Sequence, residues 1–285
     1  MSDYLDYARR GRNAWWLYLL AGLAGAVGGI AVSSVIGVAL VLSRTVPQQV
    51  VLDLMQPSHP VNFFLGNGVV FAALLVAFAL AIRLIQAKRF GDIVGDWRWG
   101  RFAAGFGLWS LCLAAMTAAD LMLRPGGFRW SANGQTGALA VAALFGLGVQ
   151  TFTEEFVFRG WLTQGLLLAT KRPLPAALIS GLLFGALHIP NGVPQWANAT
   201  LFGVVAALIA IRTGGLAFTF GLHLINNLFG AVVVVSASDV FHGAPGLFTQ
   251  STPGLMWWDV IAGVALLAVP AVFVLGRRPA RQRLE

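Results

Sequence analysis

AWWLYLLAGLAGAVGGIAVSSVIGVALVL, residues 14–42, is a run of twenty-nine residues without one charged side chain. A bilayer core is crossed by about 20 apolar residues of helix, so this run reads as a membrane span. It is too long for a signal-peptide core and reads as a retained first helix, in spite of the small residues at Ala24 and Ala26. Seven further apolar runs follow, at 62–82, 102–123, 137–169, 174–188, 196–211, 216–235 and 257–275. No polar stretch between them reaches the size of a soluble domain. The expected fold is all-α, a polytopic membrane helix bundle of about eight transmembrane helices, with residues 1–285 forming a single integral membrane domain. Composition agrees: 58% of residues are hydrophobic and 11% charged, against roughly 25% charged in a soluble domain. A water-soluble fold is excluded. The single cysteine, Cys112, excludes a disulfide framework or a thiolate metal site within the chain.

The net charge of +8 would raise nucleic acid as a partner in a soluble protein. Here the basic residues lie between and beyond the apolar runs, so no nucleic-acid partner is expected, and the charge reads as membrane orientation. With an even number of spans both termini share one side. That side collects Arg9, Arg10, Arg12, Arg83, Lys88, Arg89, Arg98, Arg101, Lys171, Arg172 and Arg212, with Arg277, Arg278, Arg281 and Arg283. The opposite loops hold Arg44, Arg124 and Arg129. The bias places both termini in the cytoplasm of a multi-pass cell-membrane protein. Trp15, Trp16, Trp97, Trp99, Trp130, Trp196, Trp257 and Trp258 fall near span ends, where indole rings favour the headgroup level. The loop over 236–256, with its glycines and prolines, is expected outside the bilayer or dipping back into it.

Most polar residues find ordinary places. Asp3, Asp6, Asp53, Asp92, Asp96, Asp120, Asp239, Asp259 and Glu285 lie at termini, in loops or near span ends, and His59 and His242 lie in loops. Glu154 and Glu155 fall midway along the fourth run, where a charge costs at least ~2.5 kcal/mol. Arg159 follows Glu155 by four residues, the spacing and order of an intrahelical ion pair. Glu154 is turned about 100° away on the helix and can point at a different neighbour. His188 closes the fifth run, stopped there by Pro190, and Gly181 and Gly185 before it permit close helix packing. His223 lies inside the seventh run with Asn226 and Asn227 three and four residues on.

One carboxylate beside one histidine can hold and deprotonate a water, and a second histidine with an asparagine can donate to a developing oxyanion. That combination points to peptide-bond hydrolysis inside the membrane. The same residues permit a zinc site made of His188, His223 and Glu154 with an open water position. The HExxH helix of zincins is absent, and metal-free water activation is the preferred of the two. Two other function classes compete. A proton-coupled transporter would also need buried Glu, His and Arg, but would show related halves with matching broken helices, and no such repeat is present. A catalytically silent immunity or scaffold protein of the same fold would not need an intact set of polar groups.

Three short patterns occur in order: EExxxR as Glu154-Glu155-Phe156-Val157-Phe158-Arg159, FxxxH as Phe184-Gly185-Ala186-Leu187-His188, and HxxxN as His223-Leu224-Ile225-Asn226-Asn227. In this the chain resembles the CPBP family of intramembrane endopeptidases, the CAAX prenyl protease and bacteriocin-processing group also called Abi. The resemblance covers about residues 137–230, which would be the catalytic core. It implies an eight-helix fold with a conical cavity at membrane depth. It implies that Glu154 and His188 activate the water, that His223 and Asn227 hold the oxyanion, and that Glu155 and Arg159 support the site. The implied partners are membrane lipid and a peptide or prenylated protein substrate.

Overall fold

A computed structural model describes residues 2–44, 46–236, 241, 243–251 and 257–276. Asp239, His242, Arg277, Arg278, Arg281, Arg283 and Glu285, placed above in loops or at the terminus, lie outside the described residues, as do the side chains of Asp3, Trp258 and Asp259. The fold is an all-α membrane bundle. Among the described residues five helices are long and apolar enough to cross a bilayer: Trp15–Ser43 (α2), Pro60–Gln86 (α4 and its π-helical end), Trp99–Leu123 (α6), Thr136–Thr170 (α7 and α8 with a π segment between) and Val193–Thr213 (α10). Shorter apolar helices stand beside them, at Pro173–Ala186 (α9), Ala217–Val233 (α11 and a π-helical end) and Val260–Leu275 within α12, which starts at Trp257.

What makes these helices pack is small residues on one face. In α2 the buried positions Leu17, Ala21, Gly25 and Gly29 recur every four residues. Gly25 lies under the Phe78 ring and Gly29 against Leu74 of α4. The other faces of α2 present Leu19, Leu23, Val27, Ile30 and Val35 outward, each more than half exposed. Such a continuous apolar surface is stable only against lipid. Trp15, Trp16, Trp99, Trp130 and Trp257 are also exposed, in keeping with an interfacial role.

The basic loops meet at one end of the bundle. A short helix, α1 (Ser2–Arg9), and a second, α5 (Phe90–Val94), pack there, and neither stands out as an apolar run. Arg10 pairs with Asp92 at 2.8 Å, and Lys88 donates from Nζ to the Ala8 carbonyl at 2.5 Å. Arg101 donates to the Thr213 carbonyl, also at 2.5 Å. Burial raises the Asp92 carboxyl, but Arg10, the Arg89 amide and Lys88 outweigh it and hold its pKa below the usual range.

At the opposite end three short strands form a sheet in the order β1-β3-β2, where β1 is Phe128–Trp130, β2 Val234–Ser236 and β3 Phe248–Gln250. β1 and β3 are antiparallel, with Arg129 opposite Thr249, while β2 and β3 are parallel, with Val235 opposite Thr249. The loop expected over 236–256 therefore carries a strand.

Candidate active site

The helix that bears the two glutamates changes winding at them. α7 runs Thr136–Glu154, the next turns, Glu155–Leu162, are π-helical, and α8 resumes at Thr163. Wide turns of this kind free main-chain carbonyls, and inside a membrane these need side-chain partners. Tyr4 of α1 donates its hydroxyl to the Arg159 carbonyl. Thr163 and Ser180 donate to the Phe158 carbonyl at 2.7 and 3.1 Å.

Both carboxylates face the same imidazole. His223 Nδ1 lies 2.8 Å from Glu155 Oε1, and its Nε2 lies 3.5 Å from Glu154 Oε2. Glu154 can point at a different neighbour from Glu155, and its Oε1 does, accepting from Gln150, while its Oε2 shares the His223 ring with Glu155. The π winding that begins at Glu155 departs from α-helical geometry, and the two residues flank one ring. The Glu155–Arg159 pair forms as the spacing implies, at 3.2 Å with both side chains fully buried. The guanidinium lies 4.0 Å from the centre of the Phe184 ring. Its nitrogens and Glu155 Oε2 have no hydrogen-bond partner among the described residues.

The other expected residues sit around this core. Asn227 is one turn on from His223 and donates to Thr151 Oγ1 at 3.1 Å, so α11 and α7 face each other as antiparallel partners. Asn226 donates to Asn227 and accepts from the Trp109 indole. His188 lies just past α9, which ends at Ala186, and its Nδ1 is 3.0 Å from the Phe184 carbonyl. Phe184 links the two histidines, its ring centre being 4.8 Å from that of His188 and 5.8 Å from that of His223. Gly185 makes this placement possible, because a Cβ there would lie 1.9 Å from Thr200 Oγ1 on α10. A cavity of about 110 Å³ adjoins the site, with Trp109, Phe202, Asn226 and Leu267 in its wall. Phe202 also packs on the His223 ring at 5.0 Å. The carboxylates are not part of this cavity's lining.

The family described as Type II CAAX prenyl endopeptidase Rce1-like matches residues 135–229. A protein of Bacillus subtilis (strain 168), named as the uncharacterized protein YyaK, is 30% identical over 281 residues, a match covering 90% of this chain and 93% of that protein. The chain belongs to the Rce1-like, or CPBP, family. No solved structure matches it significantly. All six residues singled out from the sequence fall within the segment that matches the Rce1-like family.

Both nitrogens of His223 face glutamates, Nδ1 of His188 is spent on its own turn, and among the described residues no three His, Cys, Asp or Glu side chains form a group that could hold a metal. Two polar residues of the site escape a reading of single motifs. Gln150 donates from Nε2 to Glu154 Oε1 at 3.0 Å, and Asn67 of α4 donates to Gln150 Oε1 at 2.7 Å. The i, i+4 spacing of Gln150 to Glu154 is visible in the chain. The link to Asn67 spans 83 residues and is not.

Proposed function

We propose that the chain is an intramembrane endopeptidase that splits a peptide bond with a water primed at Glu154 and His188. Water adds through its oxygen to the carbonyl carbon as its proton passes to the carboxylate. The carbonyl becomes an oxyanion met by His223 and Asn227. Its collapse breaks the C–N bond, and the retained proton goes to the leaving amine. No step uses a metal ion. The observation that carries this reading is the seating of His223 between two carboxylates within the segment that matches the family. An ionised Glu155 only accepts hydrogen bonds, so the His223 proton sits on Nδ1 and the ring is held in place. Donation from Nε2 to an oxyanion then uses the imidazolium form. Arg159 pairs with Glu155 and holds it in position, and is a supporting group.

Substrates of this enzyme reach it through membrane lipid and are peptides or prenylated proteins. Residues 137–230 are its catalytic core within one domain spanning 1–285. It sits in the cell membrane with both termini in the cytoplasm, a placement supported by the crowding of basic side chains at one end of the bundle. The test is mass spectrometry of a tagged prenylated peptide ending in a cysteine and three further residues, incubated with purified protein in lipid vesicles. Wild type releases the fragment, and Glu154→Gln and His188→Ala each lower the rate by about 10²–10⁴-fold while keeping the wild-type melting curve. Undiminished cleavage by Glu154→Gln, or proton-driven uptake with no cleavage, overturns the reading.

A further inference from the structure

We propose that Asn67 and Gln150 are positioning residues for Glu154, two amides in series that aim one carboxylate oxygen at His223; their kinetic role rests on the endopeptidase reading, their geometry does not. Asn67 Nδ2 donates to Gln150 Oε1 at 2.7 Å, and Gln150 Nε2 donates to Glu154 Oε1 at 3.0 Å. The second oxygen, Oε2, is the one that faces His223 Nε2 at 3.5 Å. The direction of the series follows from chemistry. An ionised carboxylate accepts and never donates, so Gln150 must turn its NH₂ toward Glu154. Its carbonyl oxygen then points away and requires a donor, which Asn67 supplies. Reversing either amide would set two acceptors against each other.

The helices are built to bring these groups together. α4 and α7 run parallel, and three rungs connect them in register. Gly146 lies so close to α4 that a Cβ would come within 2.1 Å of the Phe64 carbonyl. One turn on is the Asn67–Gln150 bond, and beyond it Thr153 donates to the Phe71 carbonyl at 3.1 Å. A side-chain amide within a membrane span is retained where it has a polar partner. Both amides of this rung have one, and the series ends on the carboxylate assigned to the water.

Two measurements on the purified full-length protein test the relay. The first is difference infrared spectroscopy, which needs no substrate: the Glu154 carboxylate stretch is the band lost in Glu154→Gln. Gln150→Leu displaces that band, Asn67→Leu displaces it less, and the double variant matches Gln150→Leu alone. The second is kinetics on the tagged peptide. Gln150→Leu lowers kcat about tenfold with KM within about twofold, the effect of losing one hydrogen bond to a charged group. Adding Asn67→Leu to it costs nothing more, because one residue acts through the other. A band unmoved in Gln150→Leu, or effects of the two substitutions that multiply, overturns the relay. A displaced band in a protein that cuts no peptide removes the endopeptidase reading and leaves the relay standing.

Discussion

Buried and half-buried polar side chains gather in two places, around His223 in the middle of the bundle and at the basic end around Lys88, and bonds to the main chain are more frequent at the basic end, where the side-chain pairs Arg10–Asp92 and Trp161–Gln86 also form. At the basic end Tyr4, Lys88, Arg101 and Gln164 each donate to a main-chain carbonyl. Around His223 the links from Asn67 through Gln150 to Glu154, from Glu155 to His223 and Arg159, and from Asn227 to Thr151 all join side chain to side chain. A bond to the main chain holds the fold. A chain of side-chain bonds around groups left partly unsatisfied, as Glu155 Oε2 and Arg159 are, holds a constellation whose members can change partners during a reaction.

Removing the cation from the cluster around His223 is the hardest way to test this contrast. Arg159→Met leaves the buried Glu155 carboxylate without its ion pair, and a loss of about 3–5 kcal/mol in unfolding free energy is expected in detergent. Arg159→Met combined with Glu155→Leu should melt above Arg159→Met alone. If Arg159→Met melts with wild type, the guanidinium is not the support assigned to it.

At the basic end, burial pushes the Lys88 ammonium down to about 8 against the pull of the Asp92 carboxylate. Between that value and an ordinary lysine near 10.4 the unfolded chain binds more protons than the folded one, so stability should rise with pH across this window. The gain is on the order of 1–3 kcal/mol, read as a higher melting temperature at about pH 9.5 than at about pH 7.5. The slope should flatten in Lys88→Met; the same slope in both proteins would show that another group titrates. The smallest effect sharpens the link between the clusters. Tyr4→Phe should cost about 1 kcal/mol of stability and slow cleavage without changing KM, because the hydroxyl reaches the main chain of the helix that carries Glu155. Unchanged kcat in Tyr4→Phe would confine α1 to the fold.

Much of this was readable from residue order alone, and the exceptions share a cause. Spans announce themselves through apolar length, which is why the runs at 14–42 and 102–123 lie within two or three residues of α2 and α6. The Glu155–Arg159 pair is local and follows from helical spacing. What depends on contacts between distant segments does not show. The three-residue strands are too short for an alternating pattern and exist only because they pair with one another. The π turns at Glu155, and with them the sharing of one ring by both glutamates, are not written in the spacing. Asn67 read as one more residue of an apolar run, because its partner lies on another helix.

The hydroxyl that Tyr4 lends to Arg159 also bears on handling the protein at the bench. A purification handle fused ahead of Ser2 would not be a silent choice. It acts on the first residues of a strut that reaches the helix carrying Glu155 and Arg159, and protein intended for assay is better labelled elsewhere.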